Sequence, residues 1–256
     1  MAFLDSINNL SDVASVAQAL LNLGLNNALG GINIQKFDTP GAFTYTPHPK
    51  MSYTIWFLQG AGGGSGSATG APFKSAAGGA GSGGGAWILG FTRAQIDLAI
   101  VDGYVGDKGL GGVIPGANSG TNGEGTFLTV GGSTPWVAGG GPPGSGQVCN
   151  ASVQNSGPAG GVALNTAGIN ADFSLSIVGQ HGHYGFSNGS LTNGVMGAAG
   201  GNSFLGSGGH ASPHVSNAPG NNYGGGAGGG VNASGMDVAG QNGAQGVAFC
   251  IEFLSV

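Results

Sequence analysis

Apolar positions fall into two regimes along this chain. Val13, Val16, Ala17, Leu20 and Leu21 recur at i, i+3, i+4, i+7 and i+8, the stripe of an amphipathic helix. Ser11 or Asn9 can cap its start, and Gly24 can close its end in a left-handed conformation. A helix of about fourteen residues is marginal alone in water, so the stripe needs a partner: the body of the protein, sister chains or a larger assembly. Beyond residue 50 the pattern changes. SYTIWFLQ (52–59) and GVAFCIEFLSV (246–256) are near-continuous apolar runs of the kind buried on both faces of a sheet. They bracket the interior of the chain and are expected to be neighbouring strands at the base of one domain, with loops projecting between them. AWILGFTRAQI (86–96) and LAIVDGYVG (98–106) read as a further strand pair, while GTFLTVGG and DFSLSIVG read as shorter strands bounded by glycine. Residues 31–50 form a connector with strand character, since Pro40, Pro47 and Pro49 break helix while Phe43 and Tyr45 favour extended backbone. The predicted fold is mainly β: a short helical segment over 1–30, a connector over 31–50 and a glycine-rich β domain over 51–256.

Composition sharpens this division. Of 59 glycines, only Gly24, Gly30, Gly31 and Gly41 precede position 60. Disorder is the first expectation for such a tract, but twelve Phe, three Trp and recurrent apolar runs oppose it. Collagen is excluded, because no strict Gly-X-Y period runs through the tract and prolines number eleven. Two arrangements would order it: polyglycine-II-like helices packed by backbone hydrogen bonds, or β-turn loops. Charge is scarce, with five Lys+Arg against ten Asp+Glu and a net charge of −5. Nucleic-acid binding and a polybasic membrane anchor therefore lack their electrostatic footprint. No apolar run reaches the roughly 20 residues of a membrane span, and no secretory signal is legible, so folding is expected in the cytoplasm of the cell that makes the chain. Cys149 and Cys250 make no disulfide framework and read as small packing residues.

Two stretches carry a family resemblance. INNLSDVASVAQALLNLGL resembles a segment of bacteriophage tail fibres in which an NLSD start leads through an alanine-rich helix to NLGL; Asn9 to Val13 and Asn22 to Leu25 carry the match. FDTPGAFTYTPHPKMSYTIWFLQGAGGGSG, followed by GGAWILGFTRAQI, LAIVDGYVGDKGLGG, GTFLTVGG and NGAQGVAFCIEF, is similar in order to glycine-rich C-terminal domains of phage tail proteins. The stretch 141–223 departs most from that pattern. The resemblance implies a tail-fibre or tail-tip protein in the virion tail, made in the host cytoplasm. It further implies a homotrimer that joins other tail or baseplate proteins through residues 1–30, where Val13, Val16, Ala17, Leu20 and Leu21 serve attachment or oligomerisation. The remaining domain would bind a host cell-surface glycan or protein. A structural connector without receptor binding is the alternative; a free ice-binding or cell-wall protein and a depolymerase are more distant ones.

No catalytic constellation stands out. Glu124 and Glu252 have no nearby acid that would make a glycosidase pair, and Asp102 and Asp107 read as solvated turn residues. Chance G-x-G-x-x-G matches lack the strand–helix context of a nucleotide site, and no cofactor is expected. The sharper feature is His181 and His183, followed by Tyr184 and Phe186. In an extended chain, i and i+2 point to one side, so three copies about a three-fold axis would offer six imidazoles to a transition metal. The other reading is surface-loop histidines. With His210, His214 and Tyr223 they form a sparse set of rings among tiny residues, suited to stacking on a receptor or to filling gaps in the scaffold.

Overall fold

A computed structural model describes residues 31–70, 76–97, 101–130, 134–148, 154–155, 165–168, 171–187, 195–211, 218–232 and 235–255. The helix expected from Val13 to Leu21 lies outside these residues, as do His214 and Cys149. The described chain is mainly β, with two larger antiparallel sheets and two small ones, the first joining β4 (Ala76–Ala77) to β13 (Val231–Asn232) and the second β9 (Gln154–Asn155), β11 (Phe186–Ser187) and β12 (Val195–Met196). The five-stranded sheet uses β1 (Ile32–Phe37), β3 (Met51–Gln59), β5 (Ala86–Thr92), β10 (Phe173–Ile177) and β14 (Val247–Leu254), in the order β1-β14-β3-β5-β10. The four-stranded sheet has the order β2-β6-β7-β8, from Gly41–Thr44, Val101–Val105, Thr126–Val130 and Trp136–Ala138. The two bracketing apolar runs are neighbours as expected, with Trp56 opposite Cys250 and Ile55 opposite Ile251. The strand character of 31–50 is realised in β1 and β2, one in each sheet.

The sheets enclose a core whose largest wholly buried side chain is Trp56. Tyr45 meets it edge-on at 4.9 Å, and Trp87 meets Trp136 in the same geometry at 4.9 Å. The Trp87 indole N–H donates to the Val137 carbonyl at 3.1 Å, so its polar atom is satisfied. Cys250 is the packing residue expected of it: it is buried, and burial, then the Glu252 charge, push its thiol up to about 12. Glu252 is a carboxylate buried against β1 and the segment 45–48. Burial alone would raise its pKa, but it accepts from the Tyr45 hydroxyl, the His48 N–H, Asn33 and Gln35, and these donors together hold it below the ordinary glutamate range.

Two expectations are corrected. The runs 86–96 and 98–106 do not pair with each other. Strand β5 stops at Thr92, where the Gln95 side chain accepts from the Thr92 N–H at 2.7 Å, and a one-turn helix, α1 (Arg93–Asp97), buries Ile96 and carries the chain across to the second sheet. Strand β3 is also not buried on both faces. Thr54, Trp56 and Leu58 are buried, whereas Tyr53, Ile55 and Phe57 are only half-buried. They continue a row of apolar side chains on the outer face: Ile32 (61% exposed) and Ile34 (59%) on β1, Phe249, Ile251 and Phe253 on β14, Ile88 on β5, and Phe173 and Leu175 on β10.

Among the described residues the glycine tracts form a lattice rather than β-turn loops. Residues 60–68 run through its centre. The N–H groups of Gly60, Gly63 and Gly66 donate to Gly85, Ser82 and Gly79 at 2.9, 2.9 and 3.0 Å. Those of Ala61, Gly64 and Ser67 donate to Glu124, Thr121 and Asn118, and those of Gly62, Ser65 and Ala68 to Ala244, Gln241 and Val238. Each step of three residues on one segment is a step of minus three on its partner. That is an antiparallel pair of helices with three residues per turn, the polyproline-II geometry. Carbonyls of the same residues accept from three parallel segments: Ala61, Gly64 and Ser67 from Gly141, Gly144 and Gln147, Gly62 and Ser65 from Gly109 and Gly112, Gly63 and Gly66 from Ala227 and Gly230. The six outer segments bond to one another in a closed ring, through Gly79 to Ser145, Gly120 to Gly144, Thr121 to Leu110, Gly240 to Gly112, Ala244 to Gly225 and Gly78 to Gly230. Donating and accepting neighbours alternate around the centre, so backbone amides satisfy one another and the lattice needs no side-chain charge.

Candidate functional site

The stretch 179–185, GQHGHYG, is one helix of this lattice at its rim. The N–H groups of Gln180 and His183 donate to Asn202 and Ala199, both at 2.8 Å, again three residues apart. Glycine recurs at the same interval. A Cβ on Gly179 or Gly182 would stand 2.1 Å from the Gly83 carbonyl or 2.5 Å from that of Ala80, and one on Gly185 would stand 2.7 Å from the Ala77 methyl. One face of the helix therefore lies against the lattice with no room for side chains. The two remaining faces carry Gln180 with His183, and His181 with Tyr184. Both histidines are exposed, Tyr184 is 64% exposed, and a cleft of about 340 Å³ is lined by His181, Gly182, His183 and Tyr184.

This geometry sets how the two histidines stand to one another. At three residues per turn, positions i and i+2 are a third of a turn apart, so His181 and His183 leave different faces and do not form the same-side pair of a β-strand. Among the described residues no group of three or more His, Cys, Asp or Glu is placed to hold a metal ion. Phe186, 40% exposed, begins the short strand β11 (Phe186–Ser187) and stands opposite Met196 of β12 (Val195–Met196). His210 is exposed on a separate segment beside Gly228.

Tyr223 lines a different cleft. Its hydroxyl donates to Asp38 at 3.1 Å, its ring lies 5.1 Å beneath the Lys36 ammonium, and its carbonyl accepts from the Ser203 hydroxyl at 2.6 Å. Lys36 and Asp38 form an ion pair at 2.7 Å. The Asp38 carboxylate, then the Tyr223 hydroxyl, raise the lysine pKa; the same lysine, then Tyr223, lower that of Asp38. Both groups stay charged across the neutral range. Beside this rim, Ile34, Leu205, Val247 and Phe249 wall a pocket of about 350 Å³. Asn222 at its edge has φ +55°, a left-handed conformation that asparagine tolerates better than most residues. Apolar walls with an ammonium, a phenol and an amide at the rim suit a small apolar or aromatic group bearing one polar end.

The ring-bearing residues singled out from sequence are thus divided. His181, His183 and Tyr184 share one cleft, Tyr223 belongs to another, and Phe186 and His210 line neither. The partners of Tyr223 were not legible, because Lys36 and Asp38 are far from it in sequence and meet it only in the folded chain, where β1 joins the large sheet. A signal for the rim helix did exist in the glycine interval Gly179, Gly182, Gly185. No helix among the described residues is long and apolar enough to cross a membrane. No curated protein sequence matches this chain. A family model described as a glycine-rich domain matches residues 38–251, from the end of β1 into β14, and the chain belongs to that glycine-rich domain family.

Proposed function

We propose that this chain is a bacteriophage tail-fibre or tail-tip protein that attaches the virion to the host surface by non-covalent recognition. The observation that carries the reading is the rim helix 179–185. It gives its glycine face to a lattice that fixes its backbone, and it holds His181, His183 and Tyr184 outward around a cleft. Rings held without loop entropy suit stacking on a sugar or packing on a protein receptor. The tail-fibre-like order of NLSDV, NLGL and the following glycine-rich elements supports placement in a phage tail. On this reading the protein is a homotrimer in the tail, joined to other tail or baseplate proteins through residues 1–30, and not an enzyme. Modest affinity per chain is multiplied by the number of copies.

The second reading, a structural connector or baseplate component, draws on the apolar outer face of the large sheet, which suits a protein partner. Particles assembled with a chain lacking residues 1–30 separate part of this. The proposal expects the truncated chain to fold and to be missing from purified virions. Its incorporation at the normal level would refute attachment through that segment.

A further inference from the structure

Where the five-stranded sheet runs into the glycine lattice, Gln59 of β3 and Val247 of β14 stand opposite one another, and both are wholly buried. The Gln59 side chain fixes the segments around it. Its amide donates to the Gly84 and Gly85 carbonyls at 3.0 and 2.9 Å, and its oxygen accepts from the Leu205 N–H at 3.3 Å. The Gly84 N–H donates to the Gly224 carbonyl at 2.8 Å, and the Ser203 hydroxyl holds the Tyr223 carbonyl at 2.6 Å. A Cβ on Gly224 would stand 2.5 Å from the Gln59 nitrogen, so the segment 222–224 lies directly on that amide. Leu205 and Tyr223 are therefore fixed in place, and the pocket of about 350 Å³ that they line with Ile34, Val247 and Phe249 is formed in the free protein.

The charges beside this pocket are already matched. Lys36 and Asp38 cancel as an ion pair, and the Tyr223 hydroxyl donates to the same carboxylate. The Gln245 amide donates to the Asp38 carbonyl. What remains open is the Asn222 side-chain amide, exposed at the rim and without a partner among the described residues. We propose that this pocket binds a small neutral aromatic molecule of one or two rings with a single hydrogen-bonding group that meets Asn222. The ligand is neutral because an ion would lose its hydration and find no spare counter-charge. It is aromatic because the Phe249 and Tyr223 rings, set among aliphatic side chains, offer flat apolar contact. It is a free molecule rather than a peptide, whose own N–H and C=O groups would face a rim with one open side-chain amide. The volume falls at the lower end of small-molecule sites, about 300–1,000 Å³, and a pocket formed in advance costs little ordering entropy on binding. The site is separate from the rim helix 179–185 and stands whether or not that helix binds a receptor.

Methyl NMR of the full-length chain titrated with indole tests it. Saturable shifts are expected in the methyls of Ile34, Leu205 and Val247, which line the pocket. Indole-3-acetate, tryptamine and N-acetyltryptophanamide should each bind at least about tenfold more weakly. Asn222→Gly keeps the positive φ and removes the amide, so it should weaken indole about fivefold and leave 1-methylindole, which has no N–H, unchanged. Leu205→Trp, which fills the pocket, should weaken indole at least about tenfold. Ile34→Ser removes a wall at a position 59% exposed, and should do so about fivefold with Tm within about 2 °C of the parent. No saturable shift in those methyls would overturn the proposal. So would charged analogues that bind as well as indole, a preference for N-acetyltryptophanamide (the mark of a protein side chain), or indole binding that Asn222→Gly leaves unchanged or that survives both Leu205→Trp and Ile34→Ser.

Discussion

Replacing Gly64 with alanine tests the lattice at its centre. An added Cβ there would stand 1.9 Å from the Leu110 carbonyl oxygen and 2.3 Å from its carbon, both backbone atoms that cannot swing aside. The segments must part by more than 1 Å to reach ordinary contact. That strains or breaks the bond from Gly64 to Thr121 at 3.1 Å and the bond from Gly144 to Gly64 at 2.9 Å. Overpacking by one methyl costs about 1–3 kcal/mol, and two weakened buried hydrogen bonds add about 1 kcal/mol each. The expected loss is about 3–5 kcal/mol, a fall in Tm of about 10 °C for a chain of this size. Gly230 is the control, because its nearest neighbour, the Gly66 carbonyl, would stand 3.1 Å away, and Gly230→Ala should cost about 1 kcal/mol or less. Thermal and urea unfolding followed by the fluorescence of Trp56, Trp87 and Trp136 read both, since all three are buried in the core. The sign decides the matter. In flexible turns, Gly→Ala stabilises by about 0.4–1 kcal/mol through the unfolded chain. A Gly64→Ala protein as stable as the parent, or no worse than Gly230→Ala, would refute the packed lattice.

Other expectations follow from the two clefts and the buried carboxylate. Tyr184→Ala should reduce adsorption with a Tm change under about 2 °C, because that ring is 64% exposed; equal losses in both would favour a gap-filling role. Tyr223→Phe should lower stability by about 1 kcal/mol in denaturant titrations, since it removes the hydroxyl bonded to Asp38. Glu252 is held below the ordinary glutamate range, so its stabilisation is complete above its unfolded pKa and is lost as pH falls through the folded one. Stability should therefore decline below about pH 4, and Glu252→Gln should flatten that limb while lowering stability at pH 7. An unchanged acid limb in the variant would show that other carboxylates control it.

How much of this was legible in the sequence depends on whether the signal was local. The pairing of β3 with β14 followed from two apolar runs flanking a glycine-rich interior. The fate of 93–97 did not, because a single helical turn capped by Gln95 cannot be told from an irregular strand within an apolar run. The lattice was half-legible. A strict Gly-X-Y repeat does not run through the tract, which is why collagen is excluded. The interval of three nevertheless holds inside each short segment, as at Gly106, Gly109, Gly112 and at Gly240, Gly243, Gly246. The first set faces the carbonyls of Glu124, Thr121 and Asn118, where no Cβ fits. Which segments meet is decided by long-range amide bonds that carry no side-chain signature. The candidate clefts divide the same way: the rim helix is contiguous in sequence, whereas Tyr223 finds Lys36 and Asp38 only after β1 joins the sheet.

The central functional claim is host attachment by the chain itself. The direct measurement is adsorption competition. Purified full-length protein is incubated with cells of the host bacterium before phage is added, and free phage are counted over time. Host attachment predicts saturable binding of the protein to cells and a dose-dependent fall in the adsorption rate, which Tyr184→Ala weakens. Absence of binding together with an unchanged adsorption rate at saturating protein would contradict it and leave the connector reading in its place.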